Sequence, residues 1–259
     1  MLEKNVIHPE FQKHESFIND IIYNYDTKGE DYGNQDRNSL KLFDLDGKTI
    51  NVKSFKIPNI INQIVYRFFR KNKAQRSYEY ANELLKLGIL TPQPIAYFQF
   101  CNPLLFKKSY YISEHLNYDL TYRELVEIPD FKNHEEILRA FTQFTFQLHE
   151  KGILFKDHSP GNTLIKIKEK SYDFYLVDLN RMEFKELDFE TRINNFARLT
   201  PKKEMVKVMA NEYAKLINEN ESKVFNEMWS VTEAFQKKYH DKIALKRKIF
   251  FWKKKYKVV

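Results

Sequence analysis

Apolar residues recur at Ala74, Tyr78, Ala81, Leu84 and Leu85, a spacing that predicts an amphipathic helix over residues 73–87 with Gly88 as its C-cap. A second helix is predicted from about residue 133 to 150. There Ile137, Leu138, Phe141, Phe144 and Leu148 form the stripe, Asn133 and Glu136 suit a capping box, and Gly152 ends the run. Elsewhere the period is two. Residues 40–43 and 49–55 flank Asp46-Gly47, a hairpin signal, and in the second strand Ile50 and Val52 share one face while Thr49, Asn51 and Lys53 share the other. Further strands are predicted at 95–100, 109–113, 163–168 and 172–177, the last two joined by the turn Glu169-Lys170-Ser171. Residues 1–13 read as a loose lead-in to a strand near 17–25. Beyond Arg181 the chain is polar to about Lys203 and then mostly helical in pattern.

Composition narrows the class. With 259 residues and 42% hydrophobic content, the chain can bury the core of one large domain or two small lobes. No apolar run approaches the roughly 18 residues of a membrane span, and Met1 to Pro9 lacks the apolar centre of a secretory signal, so a cytoplasmic protein is expected. The single cysteine, Cys101, excludes an intramolecular disulfide and a Cys-rich zinc site, and reads as ordinary burial. The net charge of +8 is local: residues 236–259 carry ten Lys or Arg against one acid, Asp241, and everything before them is close to neutral. Such a tail is a device for an anionic partner.

The candidate chemistry lies between Leu154 and Arg181. Phe155-Lys156-Asp157-His158-Ser159-Pro160-Gly161-Asn162 keeps the Asp-to-Asn spacing of a kinase catalytic loop, in which the Asp accepts the substrate hydroxyl proton and the Asn holds a metal ion. A hairpin follows, and Asp178 at its end stands where the kinase D-F-G Asp would grip Mg²⁺; the triplet here is Asp178-Leu179-Asn180. Upstream, Val52-Lys53 looks like the end of a V-A-I-K strand whose Lys reaches the nucleotide phosphates, with Lys56 a nearby competitor. Glu79 or Glu83, one helical turn apart, would pair with Lys53; periodicity does not choose between them. Gly29 and Gly33 lie where a phosphate-covering loop would be, without its G-x-G-x-x-G pattern. Glu114-His115-Leu116-Asn117 is the natural hinge, offering backbone groups to adenine from Glu114 onward. His149 and His158 lack partners at metal-ligand spacing and read as structural.

These residues together resemble the lipopolysaccharide kinases, which phosphorylate 3-deoxy-D-manno-octulosonic acid (Kdo) or heptose in the lipopolysaccharide inner core. The resemblance runs from about Arg37 to Leu199. It is carried by Val52-Lys53-Ser54-Phe55-Lys56, Arg76-Ser77-Tyr78-Glu79, Gly88-Ile89-Leu90-Thr91-Pro92-Gln93-Pro94-Ile95, Leu148-His149-Glu150-Lys151-Gly152-Ile153, Asp157 to Asn162, and Asp178-Leu179-Asn180-Arg181-Met182. It implies an α+β, two-lobed protein-kinase-like fold, with an N-terminal antiparallel sheet plus helix over residues 1–113 and a mainly helical catalytic lobe over 114–259. It also implies an ATP- and Mg²⁺-dependent enzyme in which Lys53 and Glu79 form the ion pair, Asp157 is the base, and Asn162 and Asp178 are the metal ligands. Phe155 departs from the wider kinase pattern at the catalytic-loop His, a scaffold position. Lys156 replaces the Arg that reads an activation-loop phosphate, and no A-P-E stretch follows Asp178. A small-molecule or glycolipid kinase fits better than a protein kinase. The acceptor implied is a Kdo-lipid A type glycolipid met on the cytoplasmic face of the inner membrane. Lys246-Arg247-Lys248 and Lys253-Lys254-Lys255, bracketing Ile249-Phe250-Phe251-Trp252, suit docking on that anionic surface. Two rivals are a kinase-like binding protein with little turnover and a RIO-type kinase near RNA, in which the tail would grip nucleic acid.

Overall fold

The computed structural model describes residues 2–33 and 38–249, which divide into two units, the described residues up to Tyr118 with Tyr175–Arg181, and Asp119–Phe174 with the described residues from Met182 onward.

In the first unit, β1 (Leu2–Ile7), a 3-10 turn at Pro9–His14, α1 (Glu15–Tyr23), β2 (Glu30–Asp31), β3 (Asn38–Leu45), β4 (Lys48–Phe55), α2 (Ile60–Phe68), α3 (Lys73–Lys86), β5 (Pro94–Cys101) and β6 (Phe106–Glu114) follow one another. The strands make one antiparallel sheet in the order β1-β5-β6-β4-β3-β2. The β3–β4 hairpin turns at Asp46-Gly47 with both residues at positive φ, as the sequence requires. Ile50 and Val52 are completely buried in a cluster with Ile18, Ile21 and Ile22 of α1. That packing fixes the register of β4, so Lys53 and Phe55 fall on the opposite face, where Phe55 clusters with Ala74 and Tyr78 of α3.

The N-terminus departs from the expected pattern. Residues expected as a loose lead-in form β1, paired along β5, and the expected strand near 17–25 is α1. Ile18, Ile21 and Ile22 sit at the i, i+3, i+4 spacing of a helix face, and that period overrides their β-branched character.

The second unit contains β7 (Leu120–Thr121), α4 (Tyr122–Glu127), α5 (His134–Glu150), β8 (Ile153–Phe155), β9 (Thr163–Ile167), β10 (Tyr172–Leu176, which runs across the unit boundary), β11 (Met182–Phe184), α6 (Phe189–Asn194), α7 (Lys203–Ile217) and α8 (Glu221–Ile249). Its core is aromatic. Phe141 of α5 packs at 4.3 Å between centroids on the fully buried Tyr122. The capping box expected at Asn133 and Glu136 is not formed: Asn133 is left-handed at φ 59°, and both side chains meet Tyr172 instead. A capping box does form one helix earlier, where Thr121 Oγ1 accepts from the Arg123 amide and Glu124 reaches back to the Thr121 amide. Gly152 is obligatory after α5, because its φ is +67° and a Cβ there would stand 2.8 Å from the Lys185 carbonyl oxygen.

Candidate active site

In the first unit Lys53 leaves the α3 side of β4, and its ammonium donates to Asp178 Oδ1 at 2.7 Å. Asp178 is brought there by backbone: the Leu176 amide donates to the Leu90 carbonyl, and the Thr91 hydroxyl donates to the Leu176 carbonyl at 2.8 Å. Two residues on, the chain turns sharply, with Asp178 at φ 59°, a left-handed conformation that L-residues avoid and that Asp and Asn tolerate best. Leu179 is buried, and Asn180 returns its amide to Asp178 Oδ1 at 2.8 Å. Asp46, Asn133 and Asn218 share this conformation at a hairpin turn and at helix ends, so what sets Asp178 apart is its pair of contacts to Lys53 and Asn180.

A second ammonium belongs to this group. Lys73 at the start of α3 lies 6.0 Å from the Phe55 ring centroid, Lys53 5.4 Å from it. Burial lowers the Lys73 pKa, Lys53 pushes the same way, and the Asp178 carboxylate opposes them. Lys73 gave no signal in the sequence beyond a helix start. Among the described residues Glu79 pairs with Lys71 at 2.8 Å and takes the Gln75 amide at 2.9 Å, while Glu83 lies 3.9 Å from Lys86. The helix carboxylate expected against Lys53 is thus engaged elsewhere, and Asp178 holds the ammonium. Lys56 is exposed, apart from that pair. Glu114 ends β6, where its carboxylate takes Lys48 at 3.0 Å and its amide donates to the Gln93 carbonyl.

In the second unit the loop after β8 presents Asp157. The Asn162 amide donates to the Asp157 carbonyl at 2.8 Å, closing the loop on itself through the 3-10 turn Pro160–Asn162. With its nitrogen so used, Asn162 has its carbonyl oxygen as the remaining acceptor. Arg198 donates to Asp157 Oδ1 at 2.8 Å and to the Lys156 carbonyl at 3.0 Å. It came from a polar stretch without periodicity, and no motif pointed to it. Phe155 is fully buried, and its carbonyl accepts from the Asn195 amide, so the apolar ring serves as scaffold where kinases have His. Lys156 pairs with Glu183.

His158 stacks on Phe141 beneath the loop at 5.3 Å, and His149 bonds Tyr213 and Asn195. Burial pushes His149 down to about 4 and His158 down to about 3, so both imidazoles are neutral at pH 7. The unfolded chain binds these protons near the ordinary value of 6.5, so the stabilisation is complete above that pH and is lost as pH falls from 6.5 toward 4. For His149 the loss is about 3 kcal/mol. Urea melts between pH 7 and 4.5 should show that slope, and His149→Gln should make it shallower, leaving the His158 contribution.

Kinase-like spacing, a left-handed Asp178 on Lys53 and an Asn162 clamp on Asp157 agree with what the chain resembles. A model of the lipopolysaccharide kinase (Kdo/WaaP) family matches residues 41–219, more than half the sequence. The chain belongs to that family. Family membership makes it a phosphotransferase that uses ATP. A solved structure described as WaaP in complex with acyl carrier protein shares its fold, with a TM-score of 0.62 at 12% identity, covering 92% of this chain and 98% of that one. No curated protein matches. The α+β kinase-like architecture is therefore common to both, and the family answers the RIO-type reading. Among the described residues no helix is long and apolar enough to cross a membrane.

Proposed function

We propose that this lipopolysaccharide-core kinase transfers the γ-phosphoryl group of ATP to a hydroxyl of Kdo, with Asp157 as base, and that it works on the cytoplasmic face of the inner membrane. The observation that carries the catalytic part is the Lys53 ammonium on Asp178 at 2.7 Å. Phosphoryl transfer asks the protein mainly for position and charge, because negative charge spreads over the transferred group's oxygens. Lys53 supplies positive charge for the phosphates, with Lys73 beside it. Asp157 orients the acceptor hydroxyl and takes its proton as the oxygen attacks phosphorus and the bond to the ADP oxygen breaks. Arg198 fixes that carboxylate.

Asn162 and Asp178 are the residues that would hold Mg²⁺. Their donors are oxygens, as a hard cation requires, and Mg²⁺ ordinarily takes few protein ligands beside phosphates and water. When bound, the ion supplies charge neutralisation on the nucleotide phosphates. Glu114 opens the hinge proposed to meet adenine.

Kdo is preferred to heptose on the motif resemblance alone. Purified protein given labelled ATP, Mg²⁺ and either Kdo-lipid A or a heptose-bearing core should label the Kdo acceptor; labelling only of the heptose acceptor moves the assignment one sugar outward. The basic tail is proposed to hold the enzyme on anionic lipid. Lys246, Arg247 and Lys248 close α8, whereas Phe250 to Val259 lie outside the described residues. A form ending at Ala244 should pellet less with anionic vesicles than the full chain, with no change in RNA titration at matched salt.

A further inference from the structure

The segment joining β4 to α3 is unusual in charge and exposure. Residues 54–78 contain six Lys or Arg and no acid. Within them α2 is capped by Asn59, whose Oδ1 accepts from the Asn62 amide, and it packs toward β6 through Tyr66 on Phe106, 5.6 Å between centroids. None of its side chains is buried.

Surface helices of globular proteins turn their apolar row inward. Here Ile60, Ile61, Ile64 and Phe68, on one face at i, i+1, i+4 and i+8, are 62%, 70%, 42% and 55% exposed, and Phe69 after them is 81% exposed. Lys56, Arg67 and Arg70 flank this ridge along the chain, with the Arg67 guanidinium 5.3 Å from the Phe68 ring. Beside the helix is a cleft of about 320 Å³ lined in part by Lys56, Asn59, Asn62, Lys73 and Ser109. Ser109 is 1% exposed, and its hydroxyl has no hydrogen-bond partner among the described residues. A buried orphan hydroxyl in a cationic cleft awaits an acceptor.

We propose that α2 lies in the surface of an anionic phospholipid bilayer, its isoleucine and phenylalanine ridge in the acyl boundary and a headgroup phosphate in the cleft beside Lys56 and Ser109. The complement has to be apolar under the ridge and negative around it. An anionic lipid monolayer offers both at once to a convex helix, and bilayer affinity of such helices grows with apolar area and surrounding cations. This site is separate from the basic tail and rests on the reading of a glycolipid acceptor only for its purpose.

The test uses the full-length chain and vesicles of phosphatidylcholine with or without phosphatidylglycerol. Ile61→Glu with Phe69→Glu, both exposed positions, should weaken pelleting with anionic vesicles at least tenfold while circular dichroism and ATP turnover on a detergent-dispersed acceptor are unchanged. Arg67→Glu with Arg70→Glu and, separately, Lys56→Glu should each reduce the preference for anionic over neutral vesicles. Equal pelleting of wild type and the Ile61/Phe69 variant overturns the proposal, as does a ridge that instead drives self-association or binds an acidic protein without binding vesicles. Loss of pelleting in the variant, with no phosphoryl transfer by either protein, would keep the docking site and remove the proposed reaction.

Discussion

Asp157→Asn will leave nucleotide affinity near wild type and lower turnover by about 10² to 10⁴, the range for removing a positioned general base. The substitution keeps the shape of the side chain and removes the carboxylate. It also keeps the Asp157 backbone carbonyl, so the Asn162 clamp that closes the loop should survive. What changes electrostatically is the partner of Arg198, which donates to Asp157 Oδ1 and would then face a neutral amide oxygen. Single-turnover kinetics with a saturating acceptor separate the two effects. Loss of the chemical step with little change in the acceptor's apparent affinity identifies the base; a rise in KM with unchanged turnover would reduce Asp157 to an anchor for Arg198. Arg198→Ala is the companion variant. If Arg198 acts only by positioning Asp157, combining it with Asp157→Asn should add little to the single defect, because residues acting as one unit are not additive.

The elements that hold the candidate site were legible because each is bounded by strong local signals. Asp46-Gly47 fixed the β3–β4 hairpin, Ile50 and Val52 fixed the face of β4, and Gly88 at φ +71° ends the helix whose stripe predicted it. The burial of Ile50 and Val52 is what leaves Lys53 on the side where Asp178 arrives, so a period-two reading of residues 49–55 located one half of the charged pair. Electrostatic partners were less visible. Glu79 and Glu83 satisfy helical spacing equally, but spacing says nothing of Lys71, which competes for Glu79 from just before the helix start. Lys73 and Arg198 reach their places through tertiary contacts between segments far apart in sequence, and a polar residue in a loop has no periodicity to betray it. The N-terminal error has the opposite cause: the β-branched Ile18, Ile21 and Ile22 favour strand by propensity, yet their spacing buries them together only as a helix.

Asp178 gives the larger expected change in nucleotide binding. Its carboxylate takes the Lys53 ammonium and the Asn180 amide on the same oxygen, from a residue in left-handed conformation. Asp178→Asn is the informative substitution, because Asn tolerates that backbone where Ala would add about 1–2 kcal/mol of strain and confuse folding with function. In the Asn variant the carboxylate charge proposed to meet the metal is gone and Lys53, only 16% exposed in its side chain, loses its anionic partner. Calorimetry should then show ATP affinity that no longer responds to Mg²⁺. Turnover should fall by about 10² to 10³ or more, the cost of removing one preorganised electrostatic group from the transferring phosphoryl. Lys53→Met tests the other half of the pair: it should weaken ATP binding while preserving a Mg²⁺ response, since it removes a phosphate partner and leaves the carboxylate. The two variants therefore fail differently if Asp178 serves the metal and Lys53 the phosphates. Undiminished Mg²⁺ dependence in Asp178→Asn would show that the pair is a structural brace between β4 and the segment after β10, and the metal would have to be sought on other oxygens.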